Sequence, residues 1–429
     1  MTAPPPIDPE KQAGPKPAAA EGPTSRSNAR RRVGILLVLL GLTIGGGVVA
    51  RTHLSAWYHF RAARSELEHY HTAQAIRHLR LCRELWPRDP DVLLLAARCA
   101  RRARVYDDTE RLLNMYREAR GRDGAFLFEY LLLLAERDLD PVADQCWQYV
   151  DEGRYDVPLL LESLSRGYLR QYRLGKARLC LERWRQLQPD HPQALYLEGL
   201  LLFDYLQDRP GAVDCYRRAL ERDPDHEEAR LGLAVALLGG KDFAQAAEHL
   251  RHLRQCQPDN VRVQVGLAEC LDGLGETAEA VRLVDDVLAR EPKSAAALSL
   301  RGQLAFKSGQ WTEAESWLRQ ALRLNPMDHR AHYSLILCLE RDGREEVAGQ
   351  EQRQLRQREE DVSLFNEIVT KEMPRRPTDP ALHCTAGQLL LRNGQREEGV
   401  RWLQRALVLD PTYVPARQAL ADYLRQPKP

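Results

Sequence analysis

From residue 56 onward, large apolar side chains return every three or four positions, and the helices they define stop at prolines. Pro224, Pro258, Pro292 and Pro326 stand 34 residues apart. The segments RRALERDPDH, RHLRQCQPDN, DDVLAREPKS and RQALRLNPMD each read as an amphipathic helix closed by Pro, whose ring and missing N–H stop helical continuation. A fixed period of this length predicts a stack of helix pairs, so the fold class is all-α.

With the proline at position 32 of each unit, position 8 receives Ala234, Ala268 and Gly302, and position 20 receives Ala246, Ala280 and Ala314. Small residues at these two places let antiparallel helices approach closely, since a larger branch would push the axes apart. Leu233, Leu237 and Leu250, then Leu267, Leu271 and Val284, fill the space around the crossing. In period and residue type this pattern resembles the tetratricopeptide repeat (TPR) family, most specifically in units starting at 158, 192, 227, 261, 295 and 380. The unit at 192 requires one inserted residue near Asp208 to reach Pro224.

Backward extension through Pro189 and Pro87 places repeats at 56–89, 90–123, 124–157, 158–191 and 192–226. Forward, the repeats are 227–260, 261–294, 295–328 and 380–413. Between them the period slips, and 329–379 is an irregular unit with a lengthened second helix and a breaker at Pro374 and Pro377. Residues 414–429 read as a capping helix and tail. The resemblance implies a right-handed α-solenoid of about ten helix-turn-helix repeats.

Ahead of the repeats the pattern changes. Residues 1–29, rich in Pro, Ala, Gly and Ser, lack the apolar side chains that would offset the entropy of ordering, and read as a disordered cytoplasmic tail. Residues 30–51 comprise Arg30, Arg31 and Arg32, the 18 uncharged residues Val33 to Ala50, and Arg51. Such a run is about 27 Å long as a helix, near the thickness of a bilayer's hydrocarbon core, so a transmembrane helix is expected there. Five basic residues before it against three after it orient the tail inward, which puts the repeats outside the cytoplasm of a bacterial cytoplasmic membrane. Val48 and Ala50 also resemble the small residues before a signal cleavage, which would release a secreted soluble solenoid instead. Gly41 and Gly45 form a GxxxG through which two such helices can pack as a homodimer.

Composition narrows the function. Lys plus Arg number 62 against 61 Asp plus Glu, so net charge gives no reason to expect nucleic acid as a partner. The nine cysteines include no CxxC and read as small core residues, which sets this chain apart from membrane-anchored TPR proteins that end in a four-cysteine metal domain. No GxxxxGK[ST], HExxH, GxSxG or GxGxxG is present, so no catalytic residue, metal ligand or cofactor site is assigned.

The remaining candidate is the groove. By the TPR resemblance, the first helix of each repeat lines a concave face, to which Arg64, Arg98, Arg102, Arg166, Arg170 and Tyr196 are assigned as a peptide groove. Arginines there suit a carboxylate or an acidic peptide. The expected function is a membrane-tethered, non-enzymatic scaffold that binds proteins or peptides, serving envelope protein assembly or secretion. The regulatory subunit of an enzyme complex is the alternative.

Overall fold

In the computed structural model, which describes residues 50–425, the proline-closed segments are the outer helices of antiparallel pairs. The chain forms two units, 1–59 and 60–429. Of the first, residues 50–59 are described and are helical. The expected membrane helix at 33–50, apart from its last residue, the tail and the Gly41/Gly45 contact lie outside the described residues; among the described residues no helix is long and apolar enough to cross a membrane.

From residue 60 the unit is all-helical. Inner helices Pro90–Arg102, Gly124–Arg137, Val157–Arg170, Glu227–Gly239, Val261–Gly273, Ala295–Lys307, His329–Arg341 and Pro380–Arg392 each pair with an outer helix. The local cause is written at their starts. Asp89, Asp123, Asp156, His191, His226, Asn260, Ser294, Asp328 and Asp379 precede nine inner helices, and each side chain accepts a hydrogen bond from an amide of the first turn. Val414–Arg425 closes the stack by laying Ala416 on Leu403 and Ala406.

The small residues do what their spacing predicts. Ala234, Ala246, Ala268, Ala280 and Ala314 have no exposed surface, and a Cβ on Gly302 would sit 2.6 Å from Leu318 Cγ. Gly399, which stands where an Ala is usual, has its own reason. A Cβ on Gly399 would meet the Gly387 carbonyl oxygen at 2.8 Å, and one on Gly387 the Gly399 carbonyl at 2.9 Å. That crossing is closer than an alanine pair permits.

Both breaks of period appear as widened helical turns. The extra residue expected near Asp208 lies upstream: inner helix Pro192–Leu200 continues as a π turn, Leu201–Tyr205. A π turn absorbs one residue and leaves the next helix in register. The second lies at the lengthened outer helix Glu345–Glu367, which passes into a π turn at Ile368–Glu372. Pro374 therefore does not stop the helix where its ring predicts. The wider turn removes the need for a normal i−4 bond there, and helix Met373–Arg375 comes next before the chain breaks.

The fifteenth residue of nearly every repeat closes the turn between its helices with positive φ. Tyr70, Arg104, Tyr172 and Lys241 do so first, with Gln207 one residue later after the π turn, then Gly275, Gly309, Gly343 and Gly394. The third repeat departs, with positive φ at Gly153 and Tyr155 instead. The nine cysteines are not bridged to one another, and all but Cys256 are buried. Burial pushes the thiols of Cys99, Cys146, Cys180 and Cys270 up to about 12.

Candidate functional site

The inner face is curled enough that turns meet helices several repeats away. Tyr70, in the turn of the first repeat, stacks on His226 at 5.6 Å, meets His191 edge-on at 6.0 Å, and donates its hydroxyl to Glu162 Oε2 at 3.1 Å. The guanidinium of Arg102 covers its ring at 4.1 Å. Gln74 donates to Glu227, and Arg77 to the Cys256 carbonyl at 2.9 Å. The two histidines that meet Tyr70 are helix caps, so one pair of residues serves both tasks.

Around this contact the inner face is filled with matched charge. Arg166 pairs with Glu162 at 3.1 Å and Glu228 at 3.4 Å, and Gln193 donates to both carboxylates at 3.2 Å. Burial opposes the charge on Glu162, but Arg166, Arg102 and Arg101 outweigh it and hold the carboxyl below its ordinary value. Arg101, fully buried, pairs with Glu129 at 2.6 Å and with Glu136. His226 Nδ1 accepts from the Ala229 amide, so its Nε2–H donates to Gln193 Oε1 at 2.8 Å. That neutral ring is the form burial favours, and its pKa is lowered.

The six residues assigned to a peptide groove therefore divide. Arg102, Arg166 and Tyr196 gather around Tyr70 and His226, but Arg166 and Tyr196 are buried among partners from this chain instead of facing a ligand. Arg98 shares Glu129 with Arg101 at 3.3 Å. Arg170 donates to the Arg137 carbonyl and lies over the Tyr106 ring at 5.7 Å. Arg64 stands apart, exposed and paired with Glu68 at 3.2 Å. The departure has a plain cause: Glu129 and Glu228, which spacing alone does not place, fall beside these arginines once the solenoid curls, and Glu162 lies one helical turn before Arg166.

An open concavity lies elsewhere. A cleft of about 440 Å³ is lined by Tyr172, Asp204, Tyr205, Asp361, Phe365 and Asn393, among others. Tyr172 comes from the turn of the fourth repeat, Asp204 and Tyr205 from the first π turn, Asp361 and Phe365 from the lengthened helix, and Asn393 from the tenth repeat. Tyr172 meets Tyr205 at 5.5 Å and 73°, and Phe365 at 5.1 Å and 88°. Asp361, 3% exposed, accepts from Arg392 at 2.9 Å, from Asn393 at 3.1 Å and from Gln357 at 3.1 Å. Arg405 and Arg173 fasten the same join from outside by sharing Asp140, at 2.5 Å and 2.7 Å.

None of these cleft residues was reached by motif reasoning. The signal was present in another form, because the two places where the 34-residue period breaks are the two elements that supply six of its lining residues.

Residues 237–304 match a tetratricopeptide repeat profile, and residues 201–261 and 300–361 match a second tetratricopeptide repeat profile. The chain is 28% identical over 169 residues to interferon-induced protein with tetratricopeptide repeats 3 of Mus musculus, covering 38% of this chain and 42% of that protein. It is 24% identical over 263 residues to DnaJ homolog subfamily C member 7 of Mus musculus, covering 56% and 52%. The chain thus spans about half or less of the length of these curated relatives. Among solved structures, the human IFIT1 dimer with m7Gppp-AAAA aligns with a TM-score of 0.43 at 14% identity, over 75% of this chain and 90% of that one.

Proposed function

Because the chain is a tetratricopeptide-repeat protein, we propose that it is a non-enzymatic scaffold that takes a segment of another protein into the cleft walled by Tyr172, Tyr205 and Phe365. One observation carries the reading. Both irregularities of an otherwise periodic array converge on this concavity, where an apolar floor meets convergent polar groups. A repeat array needs only neighbour contacts to fold, so a departure from the period is free to shape a binding surface.

The tether completes the proposal. The uncharged run Val33 to Ala50 with its arginine flanks supports an anchor in the bacterial cytoplasmic membrane, with the repeats outside the cytoplasm and a role in envelope protein assembly or secretion. Carbonate extraction of cells tests the anchor: a chain that appears in the soluble fraction is not membrane-spanning.

Asn366→Trp tests the cleft by filling it from a half-buried wall. Crosslinked pulldown from native membranes is expected to lose partners that the unaltered chain recovers, at an unchanged melting temperature. Recovery of the same partners in the same amounts with the cleft filled would end this reading.

A further inference from the structure

We infer that the cleft is a socket for a cationic side chain, Lys or Arg, presented by an extended segment of the partner protein. The inference rests on the cleft being the partner site, and adds what the partner must carry.

Three observations support it. First, Tyr172, Tyr205 and Phe365 stand nearly perpendicular to one another at 5.1–5.5 Å, as two edge-on pairs sharing Tyr172. All three rings line the cleft, and an aromatic wall offers ring faces that attract an ammonium or guanidinium.

Second, Asp204 sits next to Tyr205 on the widened turn and lines the same space, with no hydrogen bond or ion pair among the described residues. An open carboxylate beside aromatic walls is half of a charge pair. Burial raises its pKa, and Arg262 and Arg104 oppose that rise without reaching it as ion-pair partners.

Third, the balance of the walls is one-sided. Lys and Arg number 62 over the whole chain, yet none lines the cleft, while two Asp do; the one basic side chain in the wall, His329, lies 3.9 Å from Glu359. Asp361 is compensated by Arg392, but Asp204 is not. Asn393, also in the wall, keeps Oδ1 buried without a donor because its Nδ2 is committed to Asp361 and the Leu389 carbonyl. The chemistry is the reverse of a clamp for an acidic peptide.

The test uses the full chain in detergent micelles and four labelled Gly/Ser peptides that differ at one central residue: Lys, Arg, norleucine or Glu. Norleucine matches the length of the Lys stem without its charge. Fluorescence anisotropy is expected to show Lys and Arg peptides binding at least tenfold more tightly than norleucine or Glu peptides. Asp204→Asn, which keeps shape on an unpaired side chain, is expected to remove most of that preference while leaving norleucine binding unchanged.

Norleucine binding as tightly as Lys, or a Lys preference that survives Asp204→Asn, overturns the cationic socket and leaves the cleft as a partner site. Binding of all four peptides that Asn366→Trp does not reduce overturns the site itself. Absence of binding by the Lys and Arg peptides overturns the socket.

Discussion

The two halves of the solenoid solve the same turn differently. At the positive-φ turn between the helices of a repeat, the first half uses Tyr70, Arg104, Tyr172, Gln207 and Lys241, and the second half uses Gly275, Gly309, Gly343 and Gly394. Glycine takes this conformation freely, whereas a side chain there is opposed by about 1–2 kcal/mol. Tyr70 and Tyr172 show why the harder choice persists. They stand three repeats apart and each reaches across the inner face, one to Glu162, His191 and His226, the other to Tyr205, Phe365 and Trp402. A turn that only reverses the chain can be glycine; a turn that fastens distant repeats needs a ring. Nothing in the structure explains Arg104, Gln207 or Lys241 on these terms.

The largest test of this contrast is Tyr70→Ala. It removes the ring from His226 and the hydroxyl from buried Glu162, and should lower unfolding free energy by roughly 2–4 kcal/mol in urea titration. Equal stability would mean the cross-solenoid contact is incidental. Tyr172→Gly ranks second at about 1–3 kcal/mol, because relief of the backbone partly offsets the lost edge contacts.

His226→Asn keeps a cap for the Ala229 amide but loses the stack, and should lower stability by about 1 kcal/mol at pH 7. It also carries a pH signature. With the folded pKa of His226 lowered by burial, the unfolded chain binds the proton more readily, so this residue's contribution is complete above about pH 6.5 and is lost as pH falls below it. Denaturation midpoints measured from pH 7.5 to pH 5 should fall less steeply for His226→Asn than for the unaltered chain. His191 and His383, also lowered, leave a residual slope.

In the second half, Gly343→Tyr isolates the backbone term. A Cβ there meets nothing within 4 Å, so about 1–2 kcal/mol should be lost through φ alone. The smallest effect is expected from Lys241→Gly, a gain of no more than about 1 kcal/mol as relief of φ competes with the freer unfolded chain. A loss exceeding 1 kcal/mol in Lys241→Gly would show that this turn, too, uses its side chain.

Much of the fold was readable from spacing because a solenoid is held by neighbours, and neighbour contacts leave a period in the sequence. Ala280 and Ala314 could be assigned to helix crossings from the period alone, since only small residues recur there. The inner-face chemistry was not readable for the opposite reason. Tyr70 and Glu162, or Asp140 and Arg405, meet across 92 and 265 residues through curvature that accumulates over many repeats. Arg166 looked like a ligand for a partner's carboxylate because the repeat position gave its direction, while Glu228, 62 residues on, was out of view. The cleft lay behind a one-residue excess and a slipped period, both visible as anomalies and neither interpretable until the π turns showed where the extra length goes.

The scattered thiols give this molecule a set of local clocks. Every repeat except the eighth contributes at least one cysteine, from Cys82 in the first to Cys384 in the tenth, and burial keeps nearly all of them away from reagent. Alkylation therefore proceeds at the rate at which each segment opens, and peptide mapping of the modified sites would rank the repeats by their lifetime in the closed form without introducing a single substitution. Cys256, already half open and offering its carbonyl to Arg77, would be the early mark, timing release of the first repeat from the sixth.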